Sequence, residues 1–325
     1  DMLYNEAEAE YRRFLQKITK EYQPLKKFIR NIGNYDSLLA LAATSCNANY
    51  VRPIFTDEKQ CINAVNARNP VIESLDVNYV SNDIKMSEKD GKVLIITGPN
   101  MGGKSSYVRQ VAFLVLLAQI GSFVPADHLE LSIFDNIFTR IGAYDNLLRG
   151  ESTFKVELLE VMQIIKNSTS NSLLLLDEVG RGTSTEDGKA IAFTVLQYFL
   201  TMNGCPFILF TTHYSMSGLP NPAILRHYHM DFVEERKPGE NWPSVVFLYE
   251  LKEGFAHNSY GLNVARLANL DRDIINRAYE ISEHMRADYE RIQNLELSWR
   301  IKKILSSPSI SMNQKVAKLI DLNAK

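Results

Sequence analysis

Val93-Leu-Ile-Ile-Thr-Gly-Pro-Asn-Met-Gly-Gly-Lys-Ser105 decides how this chain is read. Val93 to Thr97 is rich in β-branched residues, continuously apolar and bounded by Gly91 and Gly98, which predicts a buried strand; Lys104 onward predicts a helix. Between them Gly98, Pro99, Asn100, Met101, Gly102, Gly103, Lys104 and Ser105 carry the spacing G-x-x-x-x-G-K-S. In a strand–turn–helix context this spacing points successive backbone N–H groups into one concavity, with the positive end of the helix dipole behind them. It therefore predicts a cradle for nucleotide phosphates. Lys104 is expected to reach those phosphates, and the Ser105 hydroxyl to ligate Mg²⁺.

The 325 residues, 45% of them hydrophobic, suffice for one large core or two smaller ones. A net charge of −2 shows no basic excess of the kind that marks a dedicated nucleic-acid clamp, so phosphate contacts to DNA are expected to lie mostly elsewhere. Cys46, Cys61 and Cys205 are odd in number and share no C-x-x-C spacing, which points to neither a zinc site nor a disulfide framework and fits a reducing compartment. Val111 to Ile120 is apolar but too short to span a bilayer, and its place after the loop predicts a buried crossover helix. No signal peptide or membrane anchor is visible, and an opening inside a helical pattern reads as a piece of something longer.

Leu3 to Ile29 is charged and heptad-like, with Tyr4, Ala7, Tyr11, Phe14, Leu15 and Ile18 on one face; it predicts the end of a long helical arm, followed by a turn at Gly33-Asn34 and a helix to Asn47. Val51 to Lys92 alternates and is punctuated by Arg52-Pro53, Asn69-Pro70 and Asp90-Gly91, predicting a small β-rich section with a strand at Val77 to Val80. Tyr79 is a candidate to stack on a base, although a lone aromatic in a strand is more often a core residue. Leu129 to Phe138 is strand-like. Ser152 and Thr153, with Glu157 following before an apolar run, predict the N-terminus of a helix to Lys166, either a plain cap or an exposed anion site.

Leu173 to Leu176 predicts a second buried strand, whose end delivers Asp177 and Glu178 beside the phosphate loop of an open α/β sheet. The first acid is suited to Mg²⁺ and the second to deprotonating the attacking water. Gly180 to Thr185 is a polar loop before a helix from Gly188 to Met202. Phe207 to Thr211 is a third buried strand, and it carries His213 at its end as a candidate γ-phosphate contact. Val245 to Leu251 reads as a strand, Gly254 to Gly261 as a loop with His257 and Tyr260, and Asn263 to Asn269 and Asp271 to Met285 as helices, with Asp288 to Lys303 continuing in mixed charge. Ser306-Ser307-Pro308 then breaks the pattern before a final helix from Met312 to Asn323.

Five segments in register, TGPNMGGKSSYVRQ (Thr97 to Gln110), ESTFKVE (Glu151 to Glu157), DEVGRGTST (Asp177 to Thr185), TTHY (Thr211 to Tyr214) and NSYGLNVARLA (Asn258 to Ala268), resemble the ATPase region of the MutS family of DNA mismatch-repair proteins. Lys155, TRIGAYD (Thr139 to Asp145) and the run through Asn276 look most like the fungal homologue of the MutS-beta heterodimer. The resemblance implies an ABC-type P-loop α/β fold with a central, mostly parallel sheet. It implies a helical lever end over 1–50, an ATPase domain over 51–285 and a helical dimerisation region over 286–325. It implies ATP and Mg²⁺ as cofactors, Asn100, Lys104, Ser105 and Ser106 at the phosphates and metal, Asp177 assisting Mg²⁺, Glu178 as base, His213 as γ-phosphate sensor and Tyr79 against adenine. Ser152 corresponds to the signature serine that acts, with Thr153, on a partner subunit's ATP. A second MutS homologue, mismatched or looped DNA, MutL-type factors and a nuclear location are implied likewise.

Two positions depart from the family pattern: Ser106 stands for a common threonine, and Asn69 for a histidine whose role is thereby in question. No mismatch-reading domain is present in these residues. A structural-maintenance ATPase would need an L-S-G-G signature and long heptad arms that the chain lacks. A non-hydrolysing ATP clamp would have no use for Glu178.

Overall fold

The computed structural model describes residues 2–57, 60–75, 78–142, 153–235, 244–255 and 261–306. The chain opens with α1 (Met2–Lys20) and α2 (Tyr22–Ser45), neither of which has a buried residue. The break between them falls at Glu21, not at the expected Gly33-Asn34. Pro24 has no amide to offer the carbonyl of Lys20, and its ring would clash there, so α1 ends at Lys20 and Pro24 sits harmlessly in the first turn of α2. Gly33 is carried inside α2, where Ser37 Oγ donates to its carbonyl at 2.9 Å; a glycine penalty of about 1 kcal/mol does not break a helix of good formers.

A small β-rich section follows: β1 (Tyr50–Val51), β2 (Ile54–Phe55), β3 (Cys61–Ala67), the one-turn α3 (Pro70–Glu73) and β4 (Asn82–Ser87). The strand expected at 77–80 starts instead at Asn82; residues 78–80 are irregular, and Val77 lies outside the described residues. Then come β5 (Val93–Thr97), α4 (Lys104–Gln119), β6 (Val124–Pro125), β7 (His128–Leu131) and β8 (Asn136–Arg140). Leu129 to Phe138 is thus two strands. β7 joins β2, β3 and β4 in a four-stranded sheet, while β8 becomes an edge of the large one. The remainder is α5 (Thr153–Asn167), β9 (Ser172–Asp177), α6 (Thr185–Thr201), β10 (Phe207–Thr211), β11 (Leu225–Glu235), β12 (Ser244–Glu253), α7 (Gly261–Leu267) and α8 (Arg272–Ser306). His257, Tyr260 and the final helix expected from Met312 lie outside the described residues.

The six-stranded sheet has the order β12-β11-β5-β10-β9-β8, parallel except for the antiparallel edge strand β12. β5, β9 and β10 are buried at every residue, which is why each reads as an unbroken apolar run instead of alternating. One face packs on α4: Leu94, Ile96, Leu173 and Leu209 share a cluster with Val108, Val111, Leu114 and Val115. The same cluster includes Ile62, Ile84, Met86 and Leu129 of the four-stranded sheet, so α4 is sandwiched between two sheets and is apolar nearly all round. On the other face Val93, Ile95, Leu174, Leu176 and Phe210 pack on Val161 of α5 and on Ala192, Leu196 and Phe199 of α6. Each such fully buried aliphatic side chain contributes about 1.5–3 kcal/mol of transfer free energy, which anchors the strand ends that carry the site.

Candidate nucleotide site

Parallel pairing sets Ile96, Thr211 and Asp177 side by side near the C-terminal edge of the sheet, with Thr97 one residue further along β5: Thr211 faces Asp177 across β9–β10 and Ile96 across β5–β10. A cleft of about 810 Å³ opens there, bordered by Tyr79, Asn100, Lys104, Arg140, Thr153 and Glu178 among others. This is where an open α/β sheet binds ligands.

The loop between β5 and α4 turns tightly. Gly102 N–H donates to Pro99 O at 3.2 Å, Met101 takes φ +66, and Gly103 caps α4 with φ +98. A side chain at Gly103 would also meet the Tyr249 ring at 3.2 Å and Met230 Cε at 3.4 Å, so the loop rests closely on β11 and β12. Because the first amides of α4 have no intrahelical acceptor, they remain available to an anion.

Lys104 is 5% exposed, and its Nζ donates to Gly98 O at 2.8 Å and Pro99 O at 3.0 Å, with Glu178 Oε1 at 3.9 Å. Burial pulls its pKa below the ordinary lysine range, and Glu178 and Asp177 partly oppose this. Ser105 Oγ donates to Asp177 Oδ2 at 2.6 Å, and Asp177 Oδ1 accepts from Thr211 Oγ1. Glu178 Oε1 meets His213 Nε2 at 2.5 Å; a carboxylate only accepts, so Nε2 carries the proton. Glu178 Oε2 accepts from Arg181. The His213 hydrogen bond, opposed by burial and helped by the charges of His213, Arg181 and Lys104, holds the Glu178 carboxyl below its usual range.

The donor set fits Mg²⁺ with a nucleotide. With its proton committed to Asp177, Ser105 keeps lone pairs for a hard cation that takes few protein ligands beside phosphate oxygens. Among the described residues no group of three or more His, Cys, Asp or Glu side chains has the arrangement of a metal site.

Tyr79 borders the cleft and donates to Gln110 Oε1 on α4 at 2.5 Å; burial pushes its hydroxyl up to about 12, so it stays a donor. Asn69, the position at which the sequence departs from the expected pattern, caps α3 by accepting from Val71 N–H at 3.1 Å, and its amide donates to Ser106 O at 3.2 Å. Thr153 is the first residue of α5; Ser152 lies outside the described residues.

Several site residues escaped the sequence reading. Met230 and Tyr249 support the loop from strands that are not wholly apolar. Arg140 and Glu157 form a buried pair, Nη2 to Oε2 at 3.2 Å, and Glu157 Oε1 accepts from Gly180 N–H at 2.5 Å, tying α5 to the loop after the acids. A buried charge pair between distant positions has no local signal; Glu157 inside an apolar helix run was the one available hint.

A family model described as MutS domain V matches residues 94–286. The chain is 60% identical over 322 residues to "DNA mismatch repair protein MSH3" of Vanderwaltozyma polyspora, covering 99% of this chain and 32% of that protein. It is 57% identical over 323 residues to the protein of the same name from Saccharomyces cerevisiae, covering 99% and 32%. With that of Eremothecium gossypii it shares 56% over 323 residues, covering 99% and 31%. The chain thus spans about a third of the length of these relatives. MutS domain V is the ATPase domain of its family, with an ABC-type P-loop fold, in keeping with the mixed α/β architecture and mostly parallel sheet. As the domain V match covers more than half of the residues, the chain belongs to the MutS family.

Proposed function

We propose that this chain binds ATP with Mg²⁺ in the cleft and hydrolyses it in the service of DNA mismatch repair, acting as the nucleotide region of a MutS homologue of the MutS-beta type in the nucleus. What carries the reading is that residues dispersed in sequence meet at one strand edge: Ser105 bonds to Asp177, while the neighbouring Glu178 bonds to His213 and lies within ion-pair distance of Lys104. The loop amides and Lys104 hold phosphate oxygens, while Ser105 and Asp177 hold the cation, with Asn100 and Ser106 beside them. Bound Mg²⁺ supplies charge to neutralise the phosphates. Glu178 accepts the proton of the attacking water, His213 keeps that carboxylate oriented, and Tyr79 packs on the base.

In this reading residues 1–50 end a helical lever, 51–285 are the ATPase domain and 286–325 contribute to dimerisation with a second MutS homologue. Ser152 and Thr153 act on the partner's ATP, and the nucleotide state is passed to looped or mismatched DNA and to MutL-type factors. Support comes from the family, from relatives named as DNA mismatch repair proteins, and from Thr153 opening α5 at the border of the cleft.

Glu178→Gln tests the chemistry. ATP binding is expected to persist while single-turnover hydrolysis by the assembled dimer falls by roughly 10²–10⁴. A glutamine variant that hydrolyses at the wild-type rate would refute it.

A further inference from the structure

Thr211, the last residue of β10, is wholly buried and stands directly opposite Asp177. Strand alternation puts it on the face of Phe207 and Leu209, and puts Asp177 on the face of Leu173 and Leu175; both are the face covered by α4. Its hydroxyl makes two bonds whose directions are chemically fixed. It donates to Asp177 Oδ1, which can only accept, and accepts at 3.1 Å from the Glu178 N–H, which can only donate. The same N–H also reaches Thr211 O at 3.1 Å. Glu178 needs such a hold, because it sits at φ +52, in the left-handed region that a residue with a Cβ rarely adopts. Asp177 is meanwhile gripped on its other oxygen by Ser105.

Resting on the hydrolytic reading above, the geometry points to Thr211 as a positioning residue for both acids. Its hydroxyl sets the rotation of the Asp177 carboxylate, leaving Oδ2 turned toward Ser105 and the cation. It also pins the backbone turn that aims Glu178 into the cleft. Thr211 touches neither water nor nucleotide in this role. One buried hydroxyl thereby links the group that holds the cation to the group that takes the proton.

The test uses the full-length protein assembled with its partner subunit, with Mn²⁺ binding followed by electron paramagnetic resonance and Mg²⁺-dependent turnover measured beside it. Thr211→Val keeps the shape and removes the hydroxyl; it is expected to weaken cation binding in the presence of ATP by roughly tenfold and to lower kcat, with metal-free nucleotide affinity unchanged. Thr211→Ser is expected to restore both, and Thr211→Cys, a weak donor, to resemble Val. Should the Val variant fail to fold, the Ser and Cys pair carries the same comparison. A Val or Cys variant with wild-type cation binding, or a Ser variant as impaired as Val, overturns the positioning role. Wild-type protein without Mg²⁺-dependent turnover, or Glu178→Gln turning over normally, overturns the hydrolytic reading instead.

Discussion

Removing one partner of the buried Arg140–Glu157 pair is the most demanding test of the packing around the site. Both side chains are almost fully enclosed, at 4% and 3% exposure, and their charged atoms lie 3.2 Å apart. At an effective dielectric constant of about 20, charges at that separation attract by roughly 5 kcal/mol. In Glu157→Ala this attraction is lost and the Gly180 N–H loses its acceptor. Arg140 keeps the half-exposed Glu160, 3.2 Å from its Nε, and the Gly142 carbonyl, which return part of the loss. The expected net destabilisation is about 3 kcal/mol, at the lower end for a broken buried pair. For a domain of this size that lowers Tm by roughly 6–12 °C. Urea titration of both proteins, with the slope checked for constancy, measures it. The double variant Arg140→Met with Glu157→Met should be less destabilised than Glu157→Ala, because no charge is then buried without a partner. If Glu157→Ala unfolds within about 1 kcal/mol of wild type, the pair is not sealed from water and the reasoning fails.

Lys104→Met should lower ATP affinity by roughly 10- to 100-fold, the worth of its charged hydrogen bonds, in equilibrium binding. It should leave stability equal or higher, since burial already disfavours the charged lysine; undiminished ATP binding would contradict the assignment. Glu178 has a folded pKa below its unfolded value, so the stability this shift supplies is complete above about pH 4.5 and is lost as the pH falls through the folded value. The advantage of wild type over Glu178→Gln in chemical denaturation should therefore shrink only below that pH; an advantage that grew on acidification would show the opposite sign. At Gly180, φ is +90 and a Cβ would lie 2.3 Å from Gly188 O, so Gly180→Ala should cost at least about 2 kcal/mol by the same assay. A neutral result there would mean that the loop and α6 are not in close contact.

What the sequence determined by itself is the part whose physics is local or periodic. β5, β9 and β10 are covered on both faces, so their burial is written as unbroken apolar runs, and the glycine spacing before Lys104 is that of a tight turn with positive φ at its end. The acids at the end of β9 and His213 beyond β10 could be placed because parallel strands in an open sheet bring their C-terminal ends together. β11 escaped because LRHYHMDFVEE mixes charge with apolar residues and lies next to an antiparallel edge strand, where burial is partial. The helix break was misplaced because glycine is a weak breaker inside an exposed helix, whereas Pro24 acts four residues upstream, on the carbonyl of Lys20. Only the tertiary structure decided the pairing of Arg140 with Glu157, the support of the loop by Met230 and Tyr249, and the bridge from Thr211 to both acids. Those contacts join residues far apart in the chain, and the free energy of a buried charge or hydroxyl depends on which partner the fold brings to it, which no neighbour in sequence records.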